Sequence, residues 1–402
     1  MFIPKAIKYI LWMDFADKYS FYGMKAILPT FLLSVVAFSE SQTVVLMQIF
    51  LSITYVAMIL ATFIAGKLIS HKNLLTIAAF ISFVGHYILS YSGAEWNVYM
   101  GVIIISAGSG IIQICMPAMI VEQCNDDKNT INRSMSLIYL FTNIGTISIL
   151  ITPYVYNKFG YNLAFLSPTI AMFVAGITLI LGRKSYKKTI LLPSEKINLL
   201  VIKKLFWIML VVSIFYVFMS QIYSSWVIQG SKMNGLIFGF IILPAQMQFL
   251  DTIFVVILLP IILFKLIPFL QSHGIFKTEI SQINFGLFIA ILSFICIAVI
   301  QYKVEQGIIL SLSWQIIPYF LIAIAEILVR TVAINHLFSS FEAKNSVFIG
   351  LIFAVFNLII NTIFSFVFKQ FCAINMQFFI FCILILFIMF ILSVLFRQKS
   401  AI

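Results

Sequence analysis

The stretch Asp14–Leu28, DFADKYSFYGMKAIL, sets two carboxylates and two ammonium groups among aromatic rings inside an otherwise apolar run. The run is long enough to cross a bilayer, where an ionised group near the helix centre costs roughly 2.5–3.5 kcal/mol, so four cost on the order of 10 kcal/mol. Leu, Ile and Phe return only about 0.3–0.6 kcal/mol each. Such charges persist where they face one another or a wet cavity. At about 100° per residue, Asp14, Asp17, Lys18, Phe21 and Lys25 fall within an arc of roughly 100°, with Tyr22 at its edge. One face of this helix therefore carries its charge and is expected to line a cavity. The two acids formally cancel the two lysines, which permits internal pairing, so a structural ion pair locking the helix to a neighbour is the plain alternative.

The rest of the chain sets the context for that face. It is 62% hydrophobic and 9% charged, with a mean hydropathy of +1.12, and apolar runs of about twenty residues recur from end to end. Forty-two Phe, with Gly and Pro scattered through the runs, fit lipid-embedded helices and not the alternating strands of a barrel. The expected fold is an all-α integral membrane protein with twelve spans, near 7–36, 43–66, 73–93, 97–121, 134–156, 160–182, 204–229, 245–269, 278–302, 308–334, 345–370 and 374–396. The first run continues well past Gly23 and reads as a retained span, not a secretory signal.

A net charge of +12 invites a nucleic-acid reading, but its placement argues for topology. With the N-terminus inside, nineteen Lys and Arg fall in inner segments and four, Lys158, Lys232, Lys303 and Lys369, in outer loops. That asymmetry places both termini in the cytoplasm. The five cysteines are odd in number and are expected as free thiols. His71, His86, His273 and His336 show no metal-ligand spacing, and no cofactor or metal is expected.

The long internal polar stretch 183–204 divides the spans six and six. Two six-helix bundles, 1–182 and 205–402, joined by a basic cytoplasmic linker, resemble the major facilitator architecture, whose substrates bind between the halves near the bilayer midplane. Nine of the thirteen acids fall in loops or at span ends; Asp14, Asp17, Asp251 and Glu326 do not.

The opening stretch resembles the first-helix signature of the proton-dependent oligopeptide transporter family, E-x-x-E-R-F-x-Y-Y-G followed by M-R-A-I-L. Each departure keeps charge sign or aromatic character. Further matches follow in the family's order: Tyr55 in span 2, GSGIIQ at 108–113, FTNIG at 141–145 closing span 5, SSWVIQG at 224–230, PAQMQFLD at 244–251, and SLSWQIIPYFLIAIAEILV at 311–329. Three departures bear on mechanism: Gln113 stands where the family has a lysine, Ser220, followed by Gln221, replaces the seventh-span acid, and Asp251 replaces an asparagine.

The resemblance implies a secondary active transporter that takes up di- and tripeptides with protons by alternating access. A peptide zwitterion needs a cation for its carboxylate and an anion for its amine. Lys25 is the expected carboxylate partner, although a lysine lacks the bidentate fork of an arginine. Glu326, helped by Asp251, is the expected partner of the amine, unless it pairs with Arg330 one turn on. Phe21, Tyr22, Tyr55, Gln113, Asn143, Tyr216 and Gln221 complete the expected substrate contacts. Asp14 and Asp17, with Lys18 adjacent, are the expected proton-coupling groups, their network altered by Gln113. The expected partners are short peptides, protons and the lipid of a bacterial inner membrane, with no nucleic acid and a monomeric carrier. The alternatives are a major facilitator carrier for another small zwitterion or drug-like molecule, and a non-transporting membrane sensor.

Overall fold

The computed structural model describes residues 4–91, 94–124, 128–187, 199–237, 239–274, 276, 278–333 and 346–400. The centre of the expected linker, 188–198, and the segment 334–345, with His336, lie outside the described residues. Hydrocarbon offers backbone amides no partner, so spans of this composition close their own hydrogen bonds as helices. Among the described residues, each of the twelve expected spans contains helix. Eleven helices among the described residues are long and apolar enough to cross a membrane; the first span, α1 (Lys5–Ser34), falls short on composition because it carries the charged face.

The chain divides into two compact units, one of Met1–Ala37 with Ile49–Lys196, the other of Phe38–Gln48 with Ile197–Ile402. In the first unit α1 packs on α4 (Glu95–Gln123), α5 (Lys128–Gly145), α6 (Ser148–Phe159) and α7 (Tyr161–Leu181), and α3 (His71–Ser90) lies along α4. Small residues allow that last approach: a Cβ on Gly108 would meet Ser82 and the Ala78 carbonyl oxygen at 2.9 Å. Ile7, Ile10, Met13, Leu75, Ile112, Met116 and Leu179 form the core of this unit. Span 5 is not one helix, and FTNIG closes only its first segment. The chain turns at Thr146–Ile147 and resumes as α6.

In the second unit α8 (Leu199–Met219) continues through a tight turn, Ser220–Tyr223, into α9 (Ser225–Gly230). A hairpin of β1 (Leu236–Ile237) and β2 (Phe240–Ile241) follows, in a segment expected to be a plain loop. Its turn passes through Gly239 at φ +84°, a conformation costly for any residue with a Cβ. Next come α10 (Phe249–Ile261), α11 (Ile267–Ser272), α12 (Glu279–Glu305), α13 (Ile316–Glu326), α14 (Ser346–Phe368) and α15 (Met376–Ser400), with α12 on α13 and α15, and α8 on α14. The first turns of α2 (Glu40–Ile64) group with this unit. Glu40 pairs with Lys232 at 2.5 Å and accepts the Ile374 N–H at 2.8 Å; Gln48 Nε2 donates to Ser220 Oγ at 2.7 Å.

Candidate functional site

Two glycines position the charged face of α1. A Cβ on Gly145, the last residue of α5, would lie 2.7 Å from Lys18 Cβ, 3.0 Å from the Phe15 carbonyl oxygen and 3.1 Å from the Tyr19 nitrogen. A Cβ on Gly23 would meet Thr152 Oγ1 at 2.7 Å and Ser148 Cβ at 3.1 Å. At F-T-N-I-G the backbone of α5 therefore meets that of α1, and at F-Y-G the backbone of α1 meets the Ser148 and Thr152 side chains of α6. Between these crossings Thr142 Oγ1 donates to Asp14 Oδ2 at 2.8 Å, and Lys18 Nζ donates to Asp17 Oδ2 at 2.7 Å. Asp14 and Asp17 are buried, at 1% and 3% exposure, while the Lys18 side chain keeps 21%. The expected arc thus exists, and its acids are met by a hydroxyl and an ammonium group instead of lying open.

About two turns further along α1, Lys25 is also buried, with Nζ 5.6 Å from the centre of the Phe21 ring. Phe21 packs on Tyr22 and Phe50, both with centroids 5.4 Å away. Tyr55 is half-buried on α2, and Gln113 is exposed on α4. The GSG of 108–110 lets these helices meet, since a Cβ on Gly110 would meet the backbone of Thr54 and Met58. On α5 the Asn143 amide donates to the Tyr139 carbonyl one turn back at 2.6 Å.

The second unit holds the other acids. Asp251 is buried in the first turn of α10, where the helix dipole favours a carboxylate. Glu326, whose side chain is 6% exposed, does not wait for a cation from elsewhere: Arg330 Nη1 donates to its Oε1 at 2.5 Å. That pair spans a π-helical turn, Ile327–Thr331, and the guanidinium also lies 5.8 Å from the centre of the Tyr216 ring. Gln221 is fully buried, donating to the Val217 carbonyl at 3.2 Å and accepting from Ser224 at 3.3 Å. Its amide braces the turn after α8, and the expected substrate contact is not where its polar atoms point.

Thr142 went unnamed in the sequence, although its place in F-T-N-I-G beside Asn143 was the available signal. Other motif residues prove structural. Gln229 and Gln315 bond one another at 3.1 Å, Gln229 reaches Gln301 at 3.1 Å, and Trp226 packs on Tyr319 at 4.9 Å.

A model of the POT family matches residues 72–198 and 194–381. Solute carrier family 15 member 1 of Oryctolagus cuniculus is 24% identical over 372 residues, covering 75% of this chain and 53% of that protein. Dipeptide and tripeptide permease A of Serratia proteamaculans (strain 568) is 25% identical over 189 residues, covering 46% of this chain and 37% of its own length. The chain spans about half the length, or less, of these curated relatives. An autoinhibited POT family peptide transporter superposes with a TM-score of 0.89 at 19% identity, covering 98% of this chain and 97% of that one. The POT family transporter PepTSo gives 0.88 at 21%, covering 99% of each. These two likenesses establish the fold.

Proposed function

Because this chain belongs to the POT family, we propose that it is a proton-coupled carrier that takes up di- and tripeptides by alternating access. The observation that carries this reading is the charged face of α1: two acids and two lysines on one spanning helix, three of them buried and held by built contacts. Relatives named as dipeptide and tripeptide permease and as peptide transporter support the substrate class.

In this reading Lys25 takes the peptide carboxylate, with Phe21, Tyr22, Tyr55, Gln113, Asn143 and Tyr216 available to backbone and side chains. Glu326, helped by Asp251, takes the amine once its pair with Arg330 opens. Protonation of Asp17 removes the charge that holds Lys18 and leaves Asp14 as its remaining acidic partner on the same face, at the atom Thr142 now occupies. A proton thus rearranges the contact between α1 and α5, which is how a local charge change biases a two-state element. The two bundles, 1–182 and 205–402, act as the moving halves of a monomer in a bacterial inner membrane, with both termini cytoplasmic.

Uptake of a labelled dipeptide into proteoliposomes, with and without an inward proton gradient, tests this. Saturable accumulation that rises with the gradient is expected. Gradient-independent leakage, or no peptide uptake at all, refutes it.

A further inference from the structure

Lys18 has two acids close to it on its own helix. Residues four apart on an α-helix are neighbours on one face, and an acid preceding a lysine at that spacing is the favourable order, whereas adjacent residues point about 100° apart. Asp14 is therefore the partner that helical geometry offers first. The structure pairs Lys18 with Asp17 instead, Nζ to Oδ2 at 2.7 Å. What separates the two acids is α5. Thr142 Oγ1 donates to Asp14 Oδ2 at 2.8 Å, and Gly145, three residues on, brings the α5 backbone so close that a Cβ there would lie 2.7 Å from Lys18 Cβ. One face of α5 thus occupies Asp14 with a hydroxyl and presses on the base of the lysine. The charged residues of the helices packed on α1 lie toward their ends, Glu95 and Glu122 on α4, Lys128 and Arg133 on α5 and Lys158 on α6. The sequence of α7 carries none before Arg183 and Lys184 in the turn that follows it, and α1 itself adds Tyr22 and Lys25 further along. The partner of Lys18 is therefore decided among Asp14, Asp17 and Thr142.

We propose that Thr142 is a positioning residue of the coupling step: by occupying the Asp14 oxygen that Lys18 would otherwise take, its hydroxyl keeps the ammonium group on Asp17 and makes its release wait for a proton. This rests on the peptide-carrier reading above. The proton adds to the Asp17 carboxylate and neutralises it, while Lys18 remains an ammonium group throughout. Lys18 then displaces the hydroxyl from Asp14, because a charged donor is the stronger partner for a carboxylate. Without the hydroxyl, Lys18 crosses to Asp14 with no proton taken up, and the contact between α1 and α5 rearranges independently of the gradient.

The test compares Thr142→Val, which keeps the branched shape but cannot donate, with Thr142→Ser, which keeps the hydroxyl, in proteoliposomes. Two quantities are read: accumulation of a labelled dipeptide driven by an inward proton gradient, and exchange of labelled for unlabelled dipeptide without a gradient over a range of pH. The unmodified protein should accumulate peptide and lose exchange as pH rises, and Thr142→Ser should retain that dependence. Thr142→Val should accumulate about ten-fold less, the ratio that follows from losing a hydrogen bond to a charged group, while its exchange persists at high pH. The double variant Thr142→Val with Asp14→Asn leaves no buried carboxylate without its donor, which guards against misfolding, and it removes the second acid. Its exchange should again fall as pH rises. An exchange profile in Thr142→Val that matches the unmodified protein, whatever happens to thermal stability, overturns the inference and leaves Thr142 a structural contact. A flat profile in Thr142→Ser or in the double variant overturns it as well. Absence of peptide exchange in the unmodified protein overturns the peptide reading itself, and the inference with it.

Discussion

Gly145→Ala puts a methyl group into the tightest contact of the charged face. The new Cβ would stand 2.7 Å from Lys18 Cβ and close to two backbone atoms of α1, at 3.0 and 3.1 Å, none of which can swing aside. Carbon atoms rest about 3.5–4.0 Å apart, so α5 and α1 must separate by about 1 Å. The same displacement stretches the 2.8 Å bond from Thr142 to Asp14 to about 3.8 Å, beyond hydrogen-bond range. Three contributions set the size of the effect. Overpacking costs about 1–3 kcal/mol. Hydrogen bonds between membrane helices average about 0.6 kcal/mol. Alanine returns up to about 1 kcal/mol of helix propensity. Overpacking dominates, and a net loss of about 1–3 kcal/mol is expected. Gly350→Ala is the control, because none of the described residues lies within 4 Å of a Cβ there. Thermal unfolding in detergent and gradient-driven dipeptide uptake should both fall for Gly145→Ala and hold for Gly350→Ala. Equal behaviour of the two variants would refute the account of how α1 is positioned.

Three further outcomes follow from the same geometry. Asp17→Asn releases Lys18 without changing side-chain volume, so it should abolish accumulation driven by a proton gradient while leaving exchange of peptide across the membrane; intact gradient-driven accumulation would move the coupling role to Asp14. Lys25→Gln should weaken competition by dipeptides about ten-fold or more, in line with the loss of a charge-assisted bond, and should leave competition by C-terminal peptide amides nearly unchanged. Gln113→Lys adds a cation on α4, and uptake measured over a range of external pH should become steeper; an unchanged profile would show that Asp14, Asp17 and Lys18 set the dependence without help from α4.

Helical spacing alone placed the charged face of α1, because a period of 3.6 residues is a local property and the face is carried by one helix. What the spacing could not decide was which partner each acid meets. Asp14 takes a hydroxyl from α5, 128 residues on, and that choice depends on a backbone approach which only Gly145 permits. Glu326 had two candidate cations, a substrate amine and Arg330 at i+4. Arg330 pairs with it, as the i+4 spacing on one helix face allows. The hairpin near Gly239 was hidden for the opposite reason: Leu236, Ile237, Phe240 and Ile241 carry no alternation, since all four remain at least partly exposed, and the pairing rests on the turn instead of on a buried face. The motifs of the resemblance divide on the same principle. Gln229 and Gln315, with Gln301 beside them, are buried polar side chains, and each bonds another or a backbone carbonyl, so they hold α9, α12 and α13 together. Gln221 is braced in the same way, its amide bonded to the Val217 carbonyl and to Ser224 within the turn after α8.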